Sequence, residues 1–259
     1  MTVVPGIDEQ WLAEVAAVDP LSHAYAVHDL AHERAMTRFV TLKAGGRPRA
    51  YLLIWLGAPG HPVVHWVGDG PGSERLAEEL PPRPLVAVVP TSVAGLVAQR
   101  REPAQAFSVL LMESSGVDAG LEDDKVSVRA LNIEDAPALR QLAEEQPSFL
   151  TSEYRRMDPG RTRVWGSFEA GRLVGVARTP VTLPAVWVIG GIFTVPSARG
   201  RGVGLAVTAA VTRAALASGA RAALFVREDN GPARRVYDRL GFRIVGRRVW
   251  VDAGVGSEP

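Results

Sequence analysis

Cysteine is absent from all 259 residues. That excludes disulfides, thiolate zinc sites and cysteine nucleophiles, and it leads us to expect a cytoplasmic protein. Long apolar runs are lacking too: no uncharged stretch approaches the roughly 20 residues that a bilayer-spanning helix needs, so no membrane partner is expected. The opening "MTVVPGIDEQW" has neither the basic stretch nor the apolar core of a secretory signal. Lysine is nearly missing, with only Lys43 and Lys125 among 29 basic residues. Histidine stops at His65, so the second half has no imidazole for proton transfer.

What is there belongs to a globular chain, with 47% hydrophobic and 22% charged residues and enough length for one large or two modest domains. The net charge of +1 conceals an uneven distribution. Residues 1–125 carry 10 basic against 16 acidic side chains, and residues 126–259 carry 19 against 12. The arginines of the basic half are scattered rather than gathered with aromatics, so no nucleic-acid partner is expected.

The polar, acidic stretch "SSGVDAGLEDDK" (114–125) reads as a linker between two lobes, placed at 1–120 and 121–259. In the second lobe a strand "VSVRAL" leads to helices over 135–145 and 149–157. A hairpin then turns at Glu169–Arg172, followed by a strand "AVWVIGGIFTV", a helix from Gly202 to Ser218, a strand "RAALFV", a helix over 232–240 and a final strand "FRIVGRRVWV". Gly190 and Gly191, inside an otherwise strong strand, predict a bulge. The first lobe has a similar order: helices over 8–18 and around His28, a hairpin at Gly45–Gly46, a strand "PVVHWVG", a helix over 73–80, a strand "LVAVV", a helix over 92–100 and a strand "FSVLLM". The similar order points to a diverged internal duplication. His28 and His32, four apart, lack the glutamate placement of a zinc-protease motif, and no metal is expected. The tryptophans, Trp55, Trp66, Trp165, Trp187 and Trp250 among them, are read as core packing.

The stretch "TVPSARGRGVG" (194–204) stands between an apolar strand and an alanine-rich helix. Glycines let a ligand approach the backbone, and the helix start offers unpaired N–H groups and a positive dipole end; with Arg199 beside them, this is a site for a pyrophosphate. A Walker loop needs a lysine, which is missing, and a dinucleotide fingerprint needs a third glycine where Leu205 stands. "GDGPG" (68–72) in the first lobe also precedes a helix but has no arginine and reads as a plain turn.

Arg199-Gly200-Arg201-Gly202-Val203-Gly204 resembles the R/Q-x-x-G-x-G/A loop of the GNAT superfamily of N-acetyltransferases. "NGPARRVYDRLGF" (230–242) is similar to that family's N-x-x-A-x-x-x-Y-x-x-x-G-F segment, and "VRALNIEDAPALRQL" to its first strand and helix. The resemblance spans roughly residues 126–251. It implies an α/β (α+β) fold with a mixed, mainly antiparallel twisted sheet flanked by helices, and the layout is similar to tandem GNAT or glycine N-acyltransferase-like proteins. It further implies acetyl-CoA as donor and an amine acceptor, a small molecule, in a monomer or homodimer. The diphosphate would lie on residues 200–204, the pantetheine arm beside Ile192, Phe193 and Thr194, and Asn230 would hold that arm while Tyr237 serves as general acid. A family-type glutamate on the central strand is missing, which leaves Glu153 and Glu169 as candidate bases, with Glu144 and Glu145 behind them, or proton removal through water. The acidic first half leads us to expect a cationic acceptor. A non-catalytic acyl-CoA sensor, or an enzyme using a longer acyl chain, are the alternatives.

Overall fold

The computed structural model describes residues 1–58, 60–82, 84–99, 104–116, 126–145 and 163–253. The chain divides into two compact units. The first contains Met1–Leu110, Arg227–Asp229 and Gly246–Pro259, and the second Leu111–Val226 and Asn230–Val245. The units therefore differ from a simple cut at 120/121, because three strands each contribute residues to both. The linker itself lies mostly outside the described residues.

In the first unit β1 (Thr2–Pro5), a strand with no sequence signal, precedes α1 (Glu9–Val18) and α2 (Pro20–His32). Next come β2 (Thr37–Ala44), β3 (Arg47–Trp55), β4 (Val63–Val67), β5 (Leu85–Val89), α3 (Ala94–Gln99) and the start of β6 (Ala104–Ser114). The segment Ser73–Glu79, expected as an α-helix, is a 3₁₀ turn. Asp8 and Asp19 accept from Trp11 N–H and Ser22 N–H and cap α1 and α2, the usual role of an aspartate at that position. The strand order is β1-β2-β3-β4-β5 and then β12 (Arg243–Ala253), antiparallel except for β4 beside β5. One core lies on the face carrying Leu52, Val64, Trp66, Leu76 and Val251, another on the face of Leu12, Tyr51 and Leu53.

In the second unit β7 (Val128–Ala130) is followed by α4 (Ala136–Glu145), β8 (Arg163–Glu169), β9 (Arg172–Thr182) and β10 (Val186–Thr194). Then come α5 (Val203–Ala217), β11 (Arg221–Arg227), α6 (Gly231–Arg239) and β12 (Arg243–Ala253). The expected helix over 149–157 lies outside the described residues. The order β6-β11-β10-β9-β8-β7 is antiparallel from β7 to β10, with β10 parallel to β11. Trp165 and Trp187 pack 6.3 Å apart, with Trp187 buried, and the Arg163 guanidinium covers Trp187 at 4.6 Å.

The helix α5 lies close to the strands because two glycines give it room. A Cβ on Gly175 of β9 would fall 2.3 Å from Cγ1 of Val203, and one on Gly204 would fall 3.3 Å from Thr194 Oγ1. Val203 is buried and β-branched, so it cannot rotate away cheaply. Gly175→Ala therefore overpacks the first turn of α5, and we expect it to cost about 1–3 kcal/mol. Urea denaturation of the variant checks this, as a lower midpoint at unchanged slope.

Candidate active site

The parallel ladder of β10 and β11 begins at Val186 opposite Arg221 and ends at Ile189 opposite Leu224. Val186–Ile189 are buried, whereas all five residues Gly190–Thr194 are partly exposed although the strand is central. On its other side β10 stays paired with β9, but irregularly: Gly190 faces Arg178, Phe193 faces Val176 and Thr194 faces Gly175, with register shifts on both sides of Gly190. Pro180 stands within the first irregularity and cannot donate to the ladder. Gly191, at φ 54°, stands within the second. The two glycines thus bend β10 where it leaves β11. The result is a partly exposed slot along β10 from Gly190 to Thr194, beyond the last row shared with β11.

At the end of the slot the chain makes a short turn, Pro196–Ala198, and then the loop 199–202. Gly200 (φ 75°) and Gly202 (φ 83°) take left-handed conformations that a side chain would strain, and Gly202 is the N-cap of α5. Asx side chains cap α1, α2 and α6, but none caps α5, the longest helix. Its first N–H groups are therefore left to solvent or to an anion. The donor set fits a diphosphate: backbone N–H groups of residues 200–204, a helix dipole and no carboxylate cap. The arginines are turned toward the protein, Arg199 Nε donating to Thr194 O at 3.2 Å and Arg201 pairing with Glu169 at 2.8 Å.

The helix α6 carries the second motif. Asn230 Oδ1 accepts from Ala233 N–H at 3.2 Å, so this side chain is occupied as a cap. Pro232 is in the first turn, where its missing N–H costs nothing, and Gly241 ends the helix at φ 77°. Tyr237 is buried, its ring 6.0 Å from Phe242. Its hydroxyl has no hydrogen-bond partner among the described residues. Burial pushes the Tyr237 phenol up to about 12, so it is a neutral donor at any ordinary pH.

The candidate bases do not gather there. Glu169 ends β8 opposite Arg172, while the row through Gly190 crosses β9 at Arg178 and β8 at Val164. Five residues of strand separate Glu169 from that row, roughly 16 Å at the strand rise. Glu169 thus belongs to the loop end of the sheet, a consequence of the hairpin length. Glu145 is engaged by Arg172 at 2.5 Å and by Gln141. Glu153 lies outside the described residues. Sequence reasoning missed Gly175, although an isolated glycine inside a strand is itself a sign of close approach.

Residues 127–242 match the family model of the acetyltransferase (GNAT) family, and this stretch is a GNAT acetyltransferase domain. The family is one of acyltransferases, and its match covers this stretch of the chain. No curated protein matches it in sequence. Among solved structures it is similar to a Drosophila protein from structural genomics, at 15% identity and TM-score 0.73 over 97% of this chain and 98% of that one. It is also similar to a tandem GNAT protein from the clavulanic acid biosynthesis pathway, at 20% identity and TM-score 0.57 over 99% of both chains. A putative GNAT acetyltransferase from Novosphingobium aromaticivorans aligns at 23% identity and TM-score 0.56 over 85% of this chain and 92% of that one. These likenesses share the mixed, mainly antiparallel fold.

Because Asn230 caps α6, Asn230→Ala should lower stability by about 1 kcal/mol, and Asn230→Ser should restore most of it. Thermal melting reads the cap. Titration with acetyl-CoA reads any second role: an alanine-like loss of affinity in the stable serine variant shows that the amide also meets ligand.

Proposed function

We propose that the second unit transfers the acetyl group of acetyl-CoA to a primary amine, with Tyr237 as general acid. The observation that carries this reading is the combination of the partly exposed stretch Gly190–Thr194, past the end of the ladder with β11, with a buried tyrosine whose phenol stays neutral, in the same unit. The pantetheine arm would run along β10 at Gly190–Thr194, past the last row shared with β11, and the diphosphate would meet the N–H groups of residues 200–204. The amine must lose its proton to attack, since an alkylamine with a pKa of ~10.4 is protonated at neutral pH. No ionisable side chain stands on β10, so we assign proton removal to water at the bend. The amine nitrogen then bonds to the thioester carbonyl carbon and gives its second proton to water, the carbon–sulfur bond breaks, and the sulfur takes the Tyr237 proton as the thiol leaves, water returning a proton to the phenolate. The acceptor we assign as a small-molecule amine.

The first unit has the same strand succession but not the slot. After the last parallel row, His65 opposite Val88, the next residue is Trp66, fully buried with its indole N–H on Gly68 O at 3.0 Å. The corresponding point of β10 is Gly190. The segment after "GDGPG" is a 3₁₀ turn, and a Cβ on Gly72 would fall 2.1 Å from Met1 Sδ. One acetyl-CoA per chain is therefore expected, and the stoichiometry of an isothermal titration measures it; a value of two would assign a site to the first unit as well.

Thiol release against a panel of amines tests turnover. Tyr237→Phe should lower it by about 100-fold while acetyl-CoA still binds. With the phenol at about 12, the rate should climb with pH toward the acceptor's own pKa, with no descending limb from the tyrosine in the usual assay range. A descending limb near neutrality would assign the acid to another group. Tight binding without release from any amine would favour a sensor of acyl-CoA, the reading that the missing strand glutamate supports.

A further inference from the structure

The hairpin between β8 and β9 presents a carboxylate to the cofactor loop. Ala170 (φ 46°) and Gly171 (φ 78°) make its two-residue turn, with Glu169 and Arg172 directly opposite each other. Glu169 Oε2 meets Arg201 at 2.8 Å, and Arg172 is engaged by Glu145 at 2.5 Å. Ala170 is the one non-glycine residue at positive φ among the described residues, so the turn that aims Glu169 is bought with some backbone strain. The partners are about half exposed, 53% for Arg201 and 41% for Glu169, so the pair itself contributes little stability.

We propose that Glu169 is an electrostatic counterweight to the pyrophosphate loop: it neutralises Arg201 in the ligand-free protein and thereby sets the affinity for acetyl-CoA, taking no part in proton transfer. The inference rests on the reading of the second unit as the acetyl-CoA site. An exposed guanidinium can leave such a pair at low cost when a phosphate arrives. The carboxylate remains, however, on a short turn beside the loop, where it opposes a polyanionic ligand.

The test is isothermal titration with acetyl-CoA, at low and high salt, of the intact wild-type chain, Glu169→Gln, Arg201→Gln and the double variant. A unit charge several ångströms from a polyanion at a wet surface shifts affinity by about three- to tenfold. Glu169→Gln should bind tighter by that factor at low salt, with the gain shrinking as salt rises. Arg201→Gln should bind correspondingly weaker. The double variant should return close to wild type, since one neutral pair has replaced another. If all three variants bind more weakly, Glu169 orients Arg201 for phosphate and the counterweight is overturned; three unchanged affinities overturn it equally. A loss of turnover of about 100-fold at saturating acetyl-CoA in Glu169→Gln would make Glu169 the base and overturn it as well. A wild-type chain that binds no acetyl-CoA defeats the site reading and this inference together, whereas contrary variants of a wild type that binds defeat the inference alone.

Discussion

The second unit depends on how near α5 can come to the strands beneath it. Gly175 on β9 and Gly204 on the helix remove the two methyl groups that would hold α5 away, and the buried Val203 fills the space between them. That approach fixes where the helix begins. The start of the helix in turn fixes where the N–H groups of residues 200–204 stand relative to the end of β10. The loop of residues 200–204 thus owes its position to packing behind it rather than to contacts within it. Thr208 and Thr212 continue the same economy of space: both are fully buried and return their hydroxyls to the helix backbone, on Gly204 O and Thr208 O.

The two units show how few residues separate an open sheet from a closed one. Each runs through an antiparallel succession of strands, then a parallel pair, then a last antiparallel or exchanged strand. A parallel pair lacks a hairpin to hold its far end, so its two strands can diverge there if the side chains permit. Glycines at 190 and 191 permit it; a tryptophan at 66 fills the gap. Whether the two strands part is thus decided by volume at one row of the ladder before any charged group is considered.

Much of this was legible in the residues. The glycine loop, the α6 segment, the hairpin at Glu169–Arg172 and the bend at Gly190–Gly191 were all readable, because each depends on local backbone preference. What was not legible depended on register. Nothing in the sequence states that Glu169 ends a strand five residues away from the row of Gly190, so a carboxylate close in the chain was taken as close to the reaction. The 3₁₀ form of Ser73–Glu79 was hidden for a similar reason, since its apolar spacing suits either helix and neighbouring contacts decide. β1 was missed because four residues containing a proline carry little strand signal. The membership of the units was invisible because no local pattern tells a strand which sheet to join.

That last point bears on how the chain is made. Strand β5, "LVAVV", is buried along its whole length and pairs on one side with Val249–Ala253 of β12. During synthesis every other strand of the first unit emerges long before those residues do. Until they do, the first unit carries a bare apolar edge, the kind that recruits strands from other chains. Its completion waits for Val249–Ala253, so a strand made after the whole second unit, rather than the first half alone, closes the N-terminal fold.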